Sequence, residues 1–154
     1  MFHLLTRSTL GAVAAVLAIG AISLPAAART TVAFAGRAND PADAGCFSEW
    51  YGTMTNVCGA TKVLVIPITV DPAGNYTVTV TGYGASASNN VGCQALGIDK
   101  NTTSVWGSSM NYLPSFGAPT DIAPLYSYVP GSGSLFAACW VNPGGRVNVI
   151  NTTW

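Results

Sequence analysis

Four cysteines, one histidine and six carboxylates are the residues of this 154-residue chain best able to do chemistry. Cys46, Cys58, Cys93 and Cys139 follow one another at spacings of 12, 35 and 46 residues. Zinc sites favour close pairs such as C-x2-C, and thioredoxin-like redox chemistry needs C-x-x-C; neither is present. A reactive thiolate needs a cation nearby, and neither Cys46 nor Cys58 has a basic residue within three positions. A lipid anchor at Cys46 would need an aliphatic residue where Asp43 stands and an apolar run directly before it. Two disulfides are therefore expected. Four cysteines allow three connectivities. Cys46–Cys58 and Cys93–Cys139 are favoured, the first closing a local loop, the second tying strands from distant parts of the chain. On a chain-entropy argument they contribute about 3 and about 4 kcal/mol.

The single histidine, His3, falls inside an export segment. Once that segment is removed, no imidazole remains for Ser-His-Asp or Cys-His activation, or as a metal ligand. Lys62 opens an apolar strand and Lys100 lies in a hairpin turn, so both read as solvated ends. Glycoside hydrolysis needs two carboxylates across a cleft. Asp40 and Asp43 fall in a leader, and Asp71 and Asp99 in turns, which leaves Glu49 and Asp121 as the one candidate pair. The stretch DKNTT, Asp99 to Thr103, has an Asp-x-Asn start but lacks the glycine and terminal acid of an EF-hand loop, so a plain turn is preferred to calcium. Asn75, Asn101 and Asn151 each begin an Asn-x-Thr glycosylation pattern.

Aromatic rings offer a different chemistry, stacking on sugars. The candidates are Trp50, Tyr51, Trp106, Tyr112, Tyr126, Tyr128, Trp140 and Trp154. Strand alternation turns one of Trp50 and Tyr51 outward and sets Tyr126 and Tyr128 on one face. Core packing competes for every one of these rings. The tentative sugar-stacking set is Trp50, Tyr51, Trp106 and Trp154, with chain-terminal Trp154 expected to be the most exposed.

The elements that must hold these residues follow from the chain's composition. The apolar run Leu10 to Leu24, followed by Pro25 and Ala26-Ala27-Ala28, reads as a signal peptide ending at residue 28, with Ala33-Phe34-Ala35 as an alternative end. At 15 residues the run is short for a bilayer span of about 20. Its residues raise the mean hydropathy to +0.39. Charged residues make up 8% of the chain, six basic and six acidic, so there is no cationic field for nucleic acid or anionic lipid. Residues 29–45 read as a flexible leader, and the domain proper is expected over 46–154.

From there the pattern is all-β, with short runs of Val, Ile, Thr and Tyr broken by Gly, Pro and Asn. In NYTVTVTG, Tyr76, Val78 and Val80 share one face and Thr77, Thr79 and Thr81 the other. KVLVIPITV precedes it across the turn DPAG, and Pro67 marks that strand as an edge or bulged strand. Hairpins are expected around DKNT and around NPGG, a strand over Asp121 to Val129, and another over Trp50 to Thr55. This gives about seven or eight strands, the number of an antiparallel β-sandwich or jelly roll.

The run Cys, then aromatic-Gly-x-x-Thr-Asn-x-Cys, with NNVGCQA, LPSFG and VPGSGSLFAACWVNPGGR, resembles small exported proteins of unknown function that myxobacteria encode in several copies. The resemblance covers most of residues 46–154 and implies an exported β-domain without adding a site. The expectation is thus a secreted, non-catalytic structural or binding module of the cell surface or matrix, without cofactor or metal. Its partners would be polysaccharide, or a second copy through the Pro67 edge, with no nucleic acid and no membrane after signal removal. A carbohydrate-binding module is the alternative, and a glycoside hydrolase on Glu49 and Asp121 the third reading.

Overall fold

The computed structural model describes residues 28–154; of the signal peptide expected over residues 1–28, residues 1–27 lie outside them. Thirteen strands follow one another: β1 (Ala28–Val32), β2 (Arg37–Ala38), β3 (Phe47–Trp50), β4 (Thr53–Asn56), β5 (Lys62–Ile68), β6 (Gly74–Tyr83), β7 (Val91–Ile98), β8 (Val105–Gly107), β9 (Asn111–Tyr112), β10 (Thr120–Asp121), β11 (Leu125–Val129), β12 (Ser134–Val141) and β13 (Arg146–Thr153). They form an antiparallel two-sheet sandwich. One sheet has the order β10-β6-β13-β4-β3, with β1 also on β13 and β11 also on β6; the other has the order β2-β5-β12-β7-β8, with β9 also on β7. No helix among the described residues is long and apolar enough to cross a membrane.

The strict alternation read in β6 is what buries it. Tyr76, Val78 and Val80 are buried against Leu64, Ile66, Leu135 and Ile150. The Tyr76 hydroxyl donates to the Pro72 carbonyl at 2.6 Å, so a buried phenol keeps a partner. Both disulfides form as expected. Cys93 and Cys139 face each other directly across β7 and β12 and are buried. Cys46–Cys58 brackets the β3–β4 hairpin.

Several expectations change. Residues 29–45, read as a flexible leader, enter both sheets: β1 pairs with β13 from Ala28 to Val32, β2 pairs with β5, and Asp40 caps a 3-10 turn over Pro41–Cys46. The segment lacks apolar periodicity because β1 lies on the sheet's rim and exposes most of its side chains. Ending the export segment at Ala35 would strip away β1 and the fully buried Ala33. The DPAG and NPGG links do not close hairpins. β5 and β6 lie in opposite sheets, as do β12 and β13, so these turns carry the chain across the sandwich. DKNT does close the β7–β8 hairpin. Trp50 to Thr55 is a hairpin turn, not one strand, because Tyr51 and Gly52 adopt φ of 48° and 81°, as a two-residue I′ connection requires. The strand count exceeds the expected seven or eight because β1 and β2 form in the segment read as a leader, Trp50 to Thr55 divides into β3 and β4, β9 adds a second piece beside β8 on β7, and the Asp121 to Val129 stretch divides into β10 and β11. Pro67 sits where β5 loses its outer neighbour, since β2 covers only Leu64 and Val65.

Asn56 locks the end of the sandwich. Fully buried at the end of β4, its amide donates to Val141 O of the opposite sheet at 2.7 Å and to Ala60 O at 2.8 Å. Its carbonyl oxygen accepts from Cys58 N at 2.9 Å. Asn56→Ala strands the buried Val141 carbonyl and two half-buried partners, and is expected to lower unfolding stability by about 2–4 kcal/mol with both disulfides intact. Equilibrium denaturation measures this, and a loss below about 0.5 kcal/mol would remove Asn56 from that role.

Candidate functional site

The structure separates the four rings proposed for sugar stacking into three places. Trp50 and Tyr51 crown the β3–β4 tip, 63% and 87% exposed, with ring centroids 4.9 Å apart and planes at 73°. The surface they present is lined otherwise by the Glu49 carboxylate, with no neutral amide beside the rings. Trp106 stands on β8, 5.7 Å from the Tyr128 ring. Trp154 is not the freely exposed ring expected at the chain end. It packs against the core 5.8 Å from Tyr76, with the Arg29 guanidinium 5.5 Å over it. The cause is β1, which pairs Ala28 with Thr153 and brings Arg29 beside the last residue.

The hydrolase pair does not assemble. Glu49 lies on β3 and Asp121 on β10, the two outer members of a five-strand path, which at about 4.8 Å per strand step sets them about 19 Å apart. Glycosidase carboxylates stand about 5–9.5 Å apart. Each is engaged locally: Glu49 accepts from Gly52 N at 3.0 Å and Asp121 from Thr81 Oγ1 at 2.6 Å. Lys62 is not a solvated end, because it pairs with Asp43 at 2.5 Å. Among the described residues no three His, Cys, Asp or Glu side chains cluster as metal ligands.

The strongest candidate was not in the expected set. At one end of the sandwich a cleft of about 350 Å³ is lined by Trp140, Tyr112, Asn90, Asn142, Thr61 and Met110, with Gly92 at its floor. Cross-strand register builds it: Trp140 on β12 lies opposite Gly92 on β7, and Gly92 opposite Tyr112 on β9. A Cβ on Gly92 would fall 2.4 Å from Tyr112 Cε1, so the missing side chain is what lets that ring lie against the sheet. Trp140 follows buried Cys139 and by alternation must face out. That signal was present in the sequence, since a core disulfide fixes the facing of its neighbour.

The polar rim is wired from behind. Asn142 Oδ1 accepts from Thr61 Oγ1 at 2.8 Å, Asn90 Oδ1 accepts from Val91 N at 2.8 Å, and Asn142 N donates to Asn90 O at 3.0 Å. These bonds occupy both side-chain oxygens. The Nδ2 groups donate to no protein atom among the described residues, so two positioned amide donors flank two aromatic rings. No charged side chain lines the cleft. Its chemistry is ring stacking plus hydrogen bonding to neutral hydroxyl-bearing ligands.

No family model and no curated protein matches this chain. Solved structures share its fold, two of them modules of polysaccharide-degrading enzymes. The C-terminal CBM6 of LamC, a marine laminarinase from Zobellia galactanivorans, aligns at a TM-score of 0.51 with 14% identity, covering 83% of this chain and 100% of the other. The Podospora anserina GH26-CBM35 β-(1,4)-mannanase aligns at 0.52 with 15% identity, covering 82% of this chain and 27% of the enzyme. The protein thus has an all-β, CBM6-like antiparallel sandwich with two disulfides.

The DKNT loop forms a turn held by Asp99. Asp99 accepts from Thr103 N, Thr103 Oγ1 and Ser104 N at 2.7–2.9 Å. The Ser104 N–H, then the Thr103 hydroxyl, holds this carboxyl below its ordinary range. A depressed folded value means the contribution to stability is present above the unfolded value of about 3.9 and is lost as pH falls through the folded one. The Thr103 and Ser104 amide shifts are expected to titrate together with a midpoint below about 3.9, and to lose that step in Asp99→Asn. Calcium is expected to leave them unmoved; a calcium-dependent shift measured by NMR would reverse this assignment.

Proposed function

We propose that the protein is an exported, non-catalytic carbohydrate-binding module that holds neutral glycans in the Trp140–Tyr112 cleft. One observation carries the reading: two amide donors with no protein partner among the described residues, those of Asn90 and Asn142, flank two aromatic rings in an uncharged cleft. Sugars present apolar ring faces and hydroxyl edges, which these two kinds of group complement. The likeness to the laminarinase and mannanase modules supports this choice over a purely structural role. Two disulfides in a chain with an export-like start support a secreted location.

Neutrality defines the ligand class. An anionic polysaccharide would find no cation in the cleft lining, while stacking and amide contacts serve glucans, mannans and similar uncharged chains. Isothermal titration with neutral oligosaccharides is expected to show binding that falls about ten-fold or more in Tyr112→Ala and Trp140→Ala. Asn90→Ala, which removes one donor and no ring, is expected to cost less. Gly92→Ala displaces the Tyr112 ring without touching a polar group and is expected to mimic Tyr112→Ala. Unchanged affinity in all four variants, each checked for native circular dichroism, would refute the cleft. No binding to any neutral glycan would return the protein to a structural role.

A further inference from the structure

At the other end of β7 the two sheets meet along a second aromatic surface. β8 is the margin of one sheet and β11 of the other, and they close together because Ser127 Oγ donates to Trp106 O at 2.7 Å. Gly97 makes the approach possible: a Cβ there would stand 2.0 Å from the Tyr128 carbonyl oxygen. Trp106 lies opposite that same glycine in the β7–β8 register and so has room to turn toward β11.

The result is an open groove of about 540 Å³ in which Trp106 meets Tyr128 edge to face, and Tyr126 extends the same outer face two residues away. Tyr126 and Tyr128 are 64% and 40% exposed, while Leu125, Ser127 and Val129 between and beside them are buried. Strand geometry sets the two tyrosines about 7 Å apart along the strand. Beside them β6 offers Asn75 opposite Tyr128 and Thr77 opposite Tyr126. The next strand continues this uncharged row, with Thr153 opposite Thr77 and Asn151 opposite Thr79. No charged side chain lines the groove.

We propose that this lateral groove is a second binding site, independent of the end cleft, for an extended neutral polysaccharide lying along β11. Two successive tyrosines on one strand face suit a chain ligand that repeats along its length, whereas the compact end cleft suits a short segment or chain end. Gly92 and Gly97 stand five residues apart on β7, about 17 Å at the usual strand rise, so the two sites occupy separate surfaces. Simultaneous occupancy would raise retention on a polymer above that of either site alone.

The inference rests on the glycan-binding reading but not on the cleft, and variants at each surface separate the two. Wild type, Tyr126→Ala, Tyr112→Ala and the double variant would be tested for retention on insoluble neutral polysaccharides, namely β-glucan, mannan, xylan and agarose. Titration with short oligosaccharides of the same series would follow, with circular dichroism and thermal midpoints confirming the fold of each. Tyr126→Ala is expected to lose about ten-fold or more in polymer retention while keeping oligosaccharide affinity, and the double variant to lose both. Trp106→Phe, which keeps the main-chain seam, is expected to reduce polymer retention in the same direction. If Tyr126→Ala and Trp106→Phe retain polymer like wild type, the groove is overturned while the cleft stands. If Tyr112→Ala changes nothing and Tyr126→Ala removes all binding, the cleft falls and the groove stands. If no polysaccharide is retained by wild type, both fall.

Discussion

The structure hangs on one buried amide. Asn56 ends β4 in one sheet, yet its side chain reaches the Val141 carbonyl in the other. Its own backbone closes the link between β12 and β13, through Asn56 N to Gly145 O at 3.0 Å and Gly144 N to Asn56 O at 2.8 Å. In a low-dielectric interior each of these bonds is strong when made and costly when lost, so the whole set forms or fails together. Its consequences run outward in both directions. Cys58, held by the Asn56 carbonyl oxygen, is the fixed half of the disulfide that clamps the β3–β4 hairpin. Val141 leads directly into Asn142, whose main chain meets Asn90 and whose side chain meets Thr61. The polar rim of the cleft is therefore an extension of the core network and is positioned before any ligand arrives.

A second constraint, the absence of side chains at two points of β7, shapes both aromatic surfaces. Gly92 yields its space to the Tyr112 ring and Gly97 to the Tyr128 main chain. Between them Cys93 is bonded to Cys139 on β12, so the strand that spaces the two surfaces is covalently fixed to the centre of its sheet. Chain flexibility would blur the distance between the two surfaces. A cross-linked central strand holds it constant, which is the condition under which linked binding gains most.

Much of this was legible in the residues, and the unread remainder has physical causes. The alternation in β6, the β7–β8 turn and both disulfide pairings could be read because each depends on local spacing or on closure between two named cysteines. Sheet membership could not: Pro and Gly in DPAG and NPGG announce a reversal of direction, but a reversal within a sheet and one across a sandwich need the same turn residues. β1 was missed because a rim strand of Ala, Arg and Thr buries little and carries no apolar period. Trp154 was misjudged with it, since the strand that covers that ring was not seen. The rings were the hardest to place, because Trp50, Trp106 and Trp140 all sit on strands and only cross-strand register decides which meet another ring and which meet an open surface.

The six carboxylates give the clearest physical argument about chemistry. Asp40 caps the turn before Cys46, Asp43 pairs with Lys62, and Glu49 holds the hairpin through Gly52 N. Asp71 pairs with Arg29, Asp99 organises the β7–β8 turn, and Asp121 takes the Thr81 hydroxyl. Each is engaged within a local structural contact, and none lines the cleft or the groove. Acid–base catalysis on a sugar needs a carboxyl whose proton affinity is raised by burial or by a like charge facing it. At Asp99 the shift runs the opposite way, toward firmer ionisation. A chain that commits its charges to holding turns and strands in place presents amides, hydroxyls and aromatic faces along the two surfaces beside β7.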